Sequence, residues 1–148
     1  MRGWATGIML AMGLDVGDKR IGVALSDPEG VLASELTTIS SKGEEADLEA
    51  ILKLVRQHGV ERIVVGLPLS MDGSIGQQAE KVLAFSRLLA QRMNIPVDHW
   101  DERLSTVAAN RAMVEAGVKP AKRKARRDSL AAVIILQTYL DRHRLSSG

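Results

Sequence analysis

The spacing of apolar residues first turns from strand-like to helical after Gly43, and that change restricts the folds open to this chain. Before it, apolar residues come in three short runs, Ile8 to Val16, Arg20 to Ser26 and Val31 to Ile39. They are parted by the turn sequences Asp15-Val16-Gly17-Asp18 and Asp27-Pro28-Glu29-Gly30. Short runs joined by tight turns predict an antiparallel meander. After Gly43, Leu48, Ile51, Leu52 and Val55 recur at helical spacing, which predicts an amphipathic helix from Glu44 to His58-Gly59. Val60 to Leu67 is a nearly continuous apolar run, the pattern of a strand buried on both faces of a parallel sheet. Gln77 to Met93 returns to helical spacing, and Ile95 to Trp100 reads as a last short strand. A helix over Ser105–Ala116, a loop through a basic run and a final apolar helix over Leu130–Leu140 complete the chain. A meander followed by crossover units predicts an α/β fold, a mixed sheet with helices on its faces.

At 148 residues the chain has the length of one domain. Residues 1–8 are expected to be a disordered extension, residues 9–143 the domain and residues 144–148 a tail. No apolar run reaches the ~18 residues of a membrane helix, and Met1–Met9 lacks the apolar stretch of a secretion signal. The expected compartment is the cytoplasm, with no membrane partner. The chain has no cysteine, which excludes a disulfide scaffold, a zinc ribbon and a thiol nucleophile. Any metal must be held by oxygen or by one of three histidines. His58 falls near a helix end, His99 in the last strand is expected to pack, and His143 lies near the C-terminal tail.

Charge is distributed unevenly. Lys119, Lys122, Arg123, Lys124, Arg126 and Arg127 follow one another without an intervening acid, in a chain whose net charge is only +2. A local cationic patch on a mildly acidic body points to a polyanion as partner, although such a run also occurs as a solvated loop.

Three acidic positions fall where strands or helices end. Asp15 lies in the first strand between Gly13 and Gly17, where an ionised side chain is costly to bury without a partner and where small neighbours suggest close approach of a ligand. Asp101 and Glu102 follow the last strand, and Asp128 follows the basic run. Alone, Asp101 or Glu102 reads as a turn residue and Asp128 as a helix N-cap. Together, in a sheet whose first strand is central, they would converge at the rim formed by the C-terminal ends of the parallel strands. Converging carboxylates repel unless a cation sits between them, and without cysteine the fitting ion is Mg²⁺ or Mn²⁺. Two such ions ~4 Å apart can clamp a phosphodiester displacement. Asp18, Asp27 and Asp72 sit in turn sequences and need no further role.

Gly13–Asp27, GLDVGDKRIGVALSD, resembles the opening motif of the YqgF (RuvX-type) family, Holliday junction resolvase-like proteins also described as pre-16S ribosomal RNA nucleases. Val65–Gly73 (VGLPLSMDG), Asp101–Thr106 (DERLST) and the closing Asp128-Ser129-Leu130-Ala131-Ala132 resemble its later motifs, in the same order, over roughly Met9 to Leu140. The resemblance implies an RNase H-like fold, with a five-stranded mixed sheet ordered 3-2-1-4-5 and helices on both faces. It also implies metal-dependent phosphodiester hydrolysis in 5′ maturation of small-subunit ribosomal RNA. Asp15, one acid of the Asp101-Glu102 pair and Asp128 would be catalytic and would bind Mg²⁺ or Mn²⁺. In an extended strand the members of the pair face opposite sides. Lys19, Arg20 and Arg103 would hold phosphate or orient carboxylates. Lys122, Arg123, Lys124, Arg126 and Arg127 would bind nucleic acid, namely structured RNA or branched DNA, with the protein a monomer or a homodimer.

Two other functions fit parts of the pattern. A strand Asp followed by a glycine-rich hairpin also occurs in phosphate-binding modules of the actin and sugar-kinase type, but these need two such domains around a cleft. A non-catalytic nucleic-acid-binding protein is the other, and clustered acids argue against it, because a binder of phosphates gains nothing from them.

Overall fold

The computed structural model describes residues 10–105 and 124–147, and for residues 124–129 and 144–147 the helical backbone alone. The strands are β1 (Ala11–Val16), β2 (Arg20–Ser26), β3 (Ala33–Ser40), β4 (Arg62–Leu67) and β5 (Val97–Asp101). The helices are α1 (Glu44–His58), α2 (Gln77–Arg92) and α3 (Lys124–Ser147), and a single 3₁₀ turn, Glu102–Leu104, follows β5. One sheet holds the strands in the order β3-β2-β1-β4-β5. The meander β1–β2–β3 is antiparallel, and β4 and β5 join it in parallel, as the change of period predicts. Ser105, the expected start of a helix, instead follows the 3₁₀ turn, and the rest of that expected helix, the loop to Arg123 and the extension 1–8 lie outside the described residues.

Alternation along the strands splits the core in two. Met12, Leu14, Ile21, Val23, Ile63 and Val65 face α1 and α2, where they pack with Leu48, Ile51, Val82, Phe85 and Leu89. Ala11, Ala24, Val64 and Trp100 face the other way, against Ala132, Ile135, Leu136 and Tyr139 of α3. Helices thus cover both faces. α1 ends where predicted, on Gly59, whose φ of 67° is the left-handed cap that glycine adopts without a Cβ penalty.

The last helix departs from expectation at both ends. It begins at Lys124 rather than Leu130 and runs through Ser147, into the segment expected as a tail. Lys124, Arg126 and Arg127 are therefore helical rather than part of a loop, and Asp128 lies within the helix, so it is not an N-cap. Lys, Ala and Arg are strong helix formers, and no Gly or Pro occurs between Pro120 and Gly148.

α3 lies close on the sheet. A Cβ built on Gly13 would stand 2.7 Å from Leu136 Cβ and 2.9 Å from the Ala132 carbonyl oxygen. The close approach at Gly13 is thus to a helix, not to a ligand. Farther along α3, the Tyr139 hydroxyl donates to Asp98 Oδ2 at 2.5 Å, and the Arg62 guanidinium is paired with the same carboxylate. Arg62 stands beside Ala11 at the start of the strands. α3 therefore runs antiparallel to β1, its N-terminal half toward the C-terminal ends of the parallel strands. Gln137 fixes the helix laterally, accepting from Ala33 N and donating to the Val31 carbonyl, both at 2.8 Å.

Candidate active site

Asp15 is one residue from the end of the central strand, on the face that α3 covers, since it shares the side of Ala11 and Gly13. It is 3% exposed. In the antiparallel pair its partner is Gly22, and Arg20, two residues earlier on β2, shares that face at the same rim. Lys19 is exposed in the turn between the strands, where Gly17 N donates to the Arg20 carbonyl at 2.9 Å.

The structure distinguishes Asp101 from Glu102. β5 pairs with β4 in parallel, Trp100 beside Gly66 and Asp101 beside Leu67. Trp100 packs in the α3-side core, so Asp101 faces the opposite side. There its carboxylate receives Arg103: Oδ1 accepts the backbone N–H at 2.9 Å, and Oδ2 accepts Nη2 at 2.7 Å. The Arg103 guanidinium holds the Asp101 carboxyl below the usual carboxylate range. At Glu102 the chain turns into the 3₁₀ helix, and the Glu102 side chain folds back over the sheet, 3% exposed. A Cβ built on Gly66 would lie 2.9 Å from Glu102 Oε2 and 2.4 Å from Ile135 Cδ1. Gly66 sits on β4 on the α3 side, beside the strand that carries Asp15. Two buried carboxylates from distant parts of the sequence thus share one face at one rim.

Gly66 is a site residue that the sequence reading passed over. Its signal was present: a glycine inside the apolar run VERIVVGL marks close approach to the backbone. No positive φ occurs at Gly66 or Gly13, so each is needed for space rather than for conformation.

The remaining expected site residues are only partly described. Lys122 and Arg123 lie outside the described residues, as do the side chains of Lys124, Arg126, Arg127 and Asp128. Among the described residues, no group of three or more His, Asp or Glu could hold a metal ion. Ala132 lies over Gly13, and Asp128 precedes it by one helical turn on the same helix. That turn rises about 6 Å along α3. It compares with the roughly 7 Å from Gly13 to Asp15 along β1, so backbone register brings position 128 to the level of Asp15.

Arg103 is engaged within the protein. Besides Asp101 it donates from Nη1 to the Met71 carbonyl at 3.2 Å and lies over Gly73, in the loop between β4 and α2. Asp72 organises that loop, accepting from Ser74 N and Oγ at 2.9 and 2.7 Å, and Asp27 caps its own turn through Val31 N at 2.7 Å, the turn roles expected of both. Asp18 pairs with Lys81 at 3.5 Å on the surface. His99 is exposed on β5 rather than packed, because the edge strand leaves its outer side open. His58 is in the last turn of α1, and the His143 ring stacks on Tyr139 at 3.9 Å.

Known proteins resemble the chain over nearly its whole length. The model of the RuvX family, described as Holliday junction resolvase, matches residues 9–142. A protein of Clostridium kluyveri named "Putative pre-16S rRNA nuclease" is 52% identical over 134 residues, which span 90% of this chain and 98% of that protein. One of the same name from Moorella thermoacetica is 54% identical, over 90% of this chain and 96% of its own. Among solved structures, Thermus thermophilus RuvC in complex with a Holliday junction substrate superposes with a TM-score of 0.59 at 15% identity, over 93% of this chain and 96% of that one. This last likeness shows the fold, that of RuvC-like resolvases.

Proposed function

Since the chain belongs to the RuvX family, we propose that it is a nuclease hydrolysing phosphodiester bonds, acting in 5′ maturation of pre-16S ribosomal RNA. The supporting observation is the pair of buried carboxylates, Asp15 and Glu102, on one face of the sheet beneath the N-terminal half of α3. Two ionised carboxylates buried on one face repel each other, and a cation shared between them relieves that repulsion. Hard oxygen donors suit Mg²⁺ or Mn²⁺, and glycine at 66 leaves the space that Glu102 occupies. Asp15, Glu102 and Asp128 are the residues that would hold the metal. A bound divalent ion supplies an acidified water and neutralises charge on a phosphodiester.

The protein's own residues orient and hold. Asp15 sits at the end of β1, paired with Gly22 of β2 and buried on the α3 side of the sheet. The 3₁₀ turn and Gly66 fix Glu102. Lys19 and Arg20 at the rim, and Lys122, Arg123, Lys124, Arg126 and Arg127 at the start of α3 and before it, supply cations for the phosphate backbone without reading sequence. The aromatic content of 3% offers little for stacking on single strands, which favours recognition of structured nucleic acid by shape.

The test is cleavage of a labelled pre-16S RNA fragment and, in parallel, of a four-way DNA junction, in Mn²⁺ and in EDTA. Wild type should cut the RNA only with metal, and Asp15→Asn and Glu102→Gln should lose cleavage while keeping RNA affinity. Cleavage of the junction alone would assign a resolvase. RNA binding without cleavage under any condition would make the protein a non-catalytic binder.

A further inference from the structure

Arg103 was expected to meet phosphate or to orient a carboxylate, and its contacts favour the second role. Its fork spans two separate pieces of the rim. On one side Nε and Nη2 grip Asp101, with Nε at 3.1 Å from Oδ1 and Nη2 at 2.7 Å from Oδ2. On the other, Nη1 donates to the Met71 carbonyl, and the guanidinium lies against Gly73, where a Cβ would stand 3.3 Å from Nη1. Gly73 has a φ of 88°, so that loop depends on glycine both for its turn and for the seat it gives Arg103.

Glu102 lies between Asp101 and Arg103 in the chain. Its main chain is held from the other direction as well: Ser105 N and Oγ both reach the Glu102 carbonyl, at 3.2 and 3.0 Å. The turn carrying Glu102 is thereby closed by Asp101 before it, which accepts the Arg103 N–H, and by Ser105 after it. The loop over residues 69–76 is closed on itself by Ser70 N to the Ser74 carbonyl and by Gly73 N to the Ser70 carbonyl. Arg103 joins these two closed units. At the tip of that loop Met71 is 84% exposed, so the loop faces outward while its inner side is bolted to the turn.

We propose that Arg103 is a positioning residue that locks the 69–76 loop to the 3₁₀ turn and so fixes the carboxylate of Glu102 over Gly66, with Asp101 as its anchor rather than as a metal ligand. The proposal rests on the nuclease reading for the purpose Glu102 serves, but the lock itself is independent of it. A planar fork grips a carboxylate through two nitrogens while the third reaches a carbonyl, a fixed geometry that the point-like ammonium of lysine on its flexible stem does not reproduce. Charge alone therefore does not replace it.

The experiment compares full-length Arg103→Lys, Arg103→Gln, Asp101→Asn and the Asp101→Asn/Arg103→Gln double variant with wild type, by three measurements. Hydrogen exchange reads the amides of residues 69–76. Electron paramagnetic resonance reads Mn²⁺ affinity without substrate. A filter assay in EDTA reads RNA affinity over a range of salt. A lock predicts faster exchange at Ser70 and Gly73 in all four variants, with lysine no better than glutamine. It predicts Mn²⁺ affinity about tenfold weaker or more, as when other outer-shell partners are lost. The double variant should be no worse than either single one, and RNA affinity in EDTA should keep its salt slope.

Wild-type behaviour of Arg103→Lys, with a salt slope smaller by about one for Arg103→Gln, would overturn the proposal and make Arg103 a phosphate contact. Loss of Mn²⁺ binding in Asp101→Asn with unchanged exchange in the loop would overturn it too, making Asp101 a ligand. If wild type binds no Mn²⁺ and cuts nothing, the nuclease reading fails. Exchange in residues 69–76 then decides the lock without it.

Discussion

Placing one methyl group on Gly66 should silence the nuclease while leaving it folded. The new Cβ would sit 2.4 Å from Ile135 Cδ1 and 2.9 Å from Glu102 Oε2. Ordinary carbon contacts lie at about 3.5–4.0 Å, so the tip of Ile135 must retreat by about 1 Å and the Glu102 carboxylate by more than half of that. Ile135 can give by changing rotamer. Glu102 can give only by leaving its place over β4. Overpacking of this kind costs about 1–3 kcal/mol, offset by the ~0.5–1 kcal/mol gained when a strand glycine acquires a side chain. The net loss of stability is therefore at most about 2.5 kcal/mol, within what a domain tolerates. The effect on rate is larger, since misplacing a reacting group by an ångström costs on the order of 10²-fold. The assay is cleavage of labelled RNA at saturating Mn²⁺, beside urea denaturation of the same preparation. Gly13→Ala is the control. There the added Cβ meets Leu136 Cβ at 2.7 Å and a backbone oxygen of α3 at 2.9 Å, atoms that move only if the helix moves, so stability should fall further. A folded Gly66→Ala protein that cuts at the wild-type rate would refute the reasoning, because the position of Glu102 would then not matter.

Three further outcomes are expected. Tyr139 is the only tyrosine, and burial, then the neighbouring Asp98, push its ionisation above the usual range. Its phenolate absorbance should therefore appear only well above pH ~10. Being neutral when folded, the phenol contributes stability that is intact below pH ~10 and lost as pH rises through the folded value. Asp101 shifts the other way: paired with Arg103, its folded value is depressed, so its contribution is present above the ordinary Asp value of ~3.9 and lost as pH falls through the folded one. Exchange protection in residues 69–76 should thus hold at pH 5 and fail only in stronger acid. Gln137→Ala leaves Ala33 N and the Val31 carbonyl without their partner and should cost about 1–3 kcal/mol in urea denaturation, with no change in Mn²⁺ affinity.

The sheet was legible because its strands obey one rule each. The meander strands are short runs between turn residues, β4 is apolar after Arg62 because both its faces are covered, and α1 and α2 keep helical spacing. What escaped lies where no hydrophobic period operates. The first turns of α3 carry Lys124, Arg126, Arg127 and Asp128, charged residues without a core stripe, and Asp128-Ser129 imitates a helix start. The helix there follows from residue propensity and from the absence of a breaker. The choice between Asp101 and Glu102 escaped for another reason. Strand alternation ends at Asp101, and the direction of the next side chain is set by a 3₁₀ turn whose closing partner, Arg103, reads from sequence equally as a phosphate contact or as a residue that orients a carboxylate. Arg62, Asp98 and Tyr139, far apart in sequence, gave no local signal of the cluster they form.

That cluster acts at a distance. Tyr139 is anchored near the start of the strands, while position 128 lies ~16 Å back along the same rigid rod. The rod has no hinge of its own: neither Gly nor Pro occurs from Lys124 to Ser147. Its angular setting is thus dictated from the end remote from the chemistry. One residue inserted between 129 and 138 would turn position 128 by about 100° about the axis, and with the metal-binding role proposed for Asp128 cleavage should be lost through a change made remote from that acid.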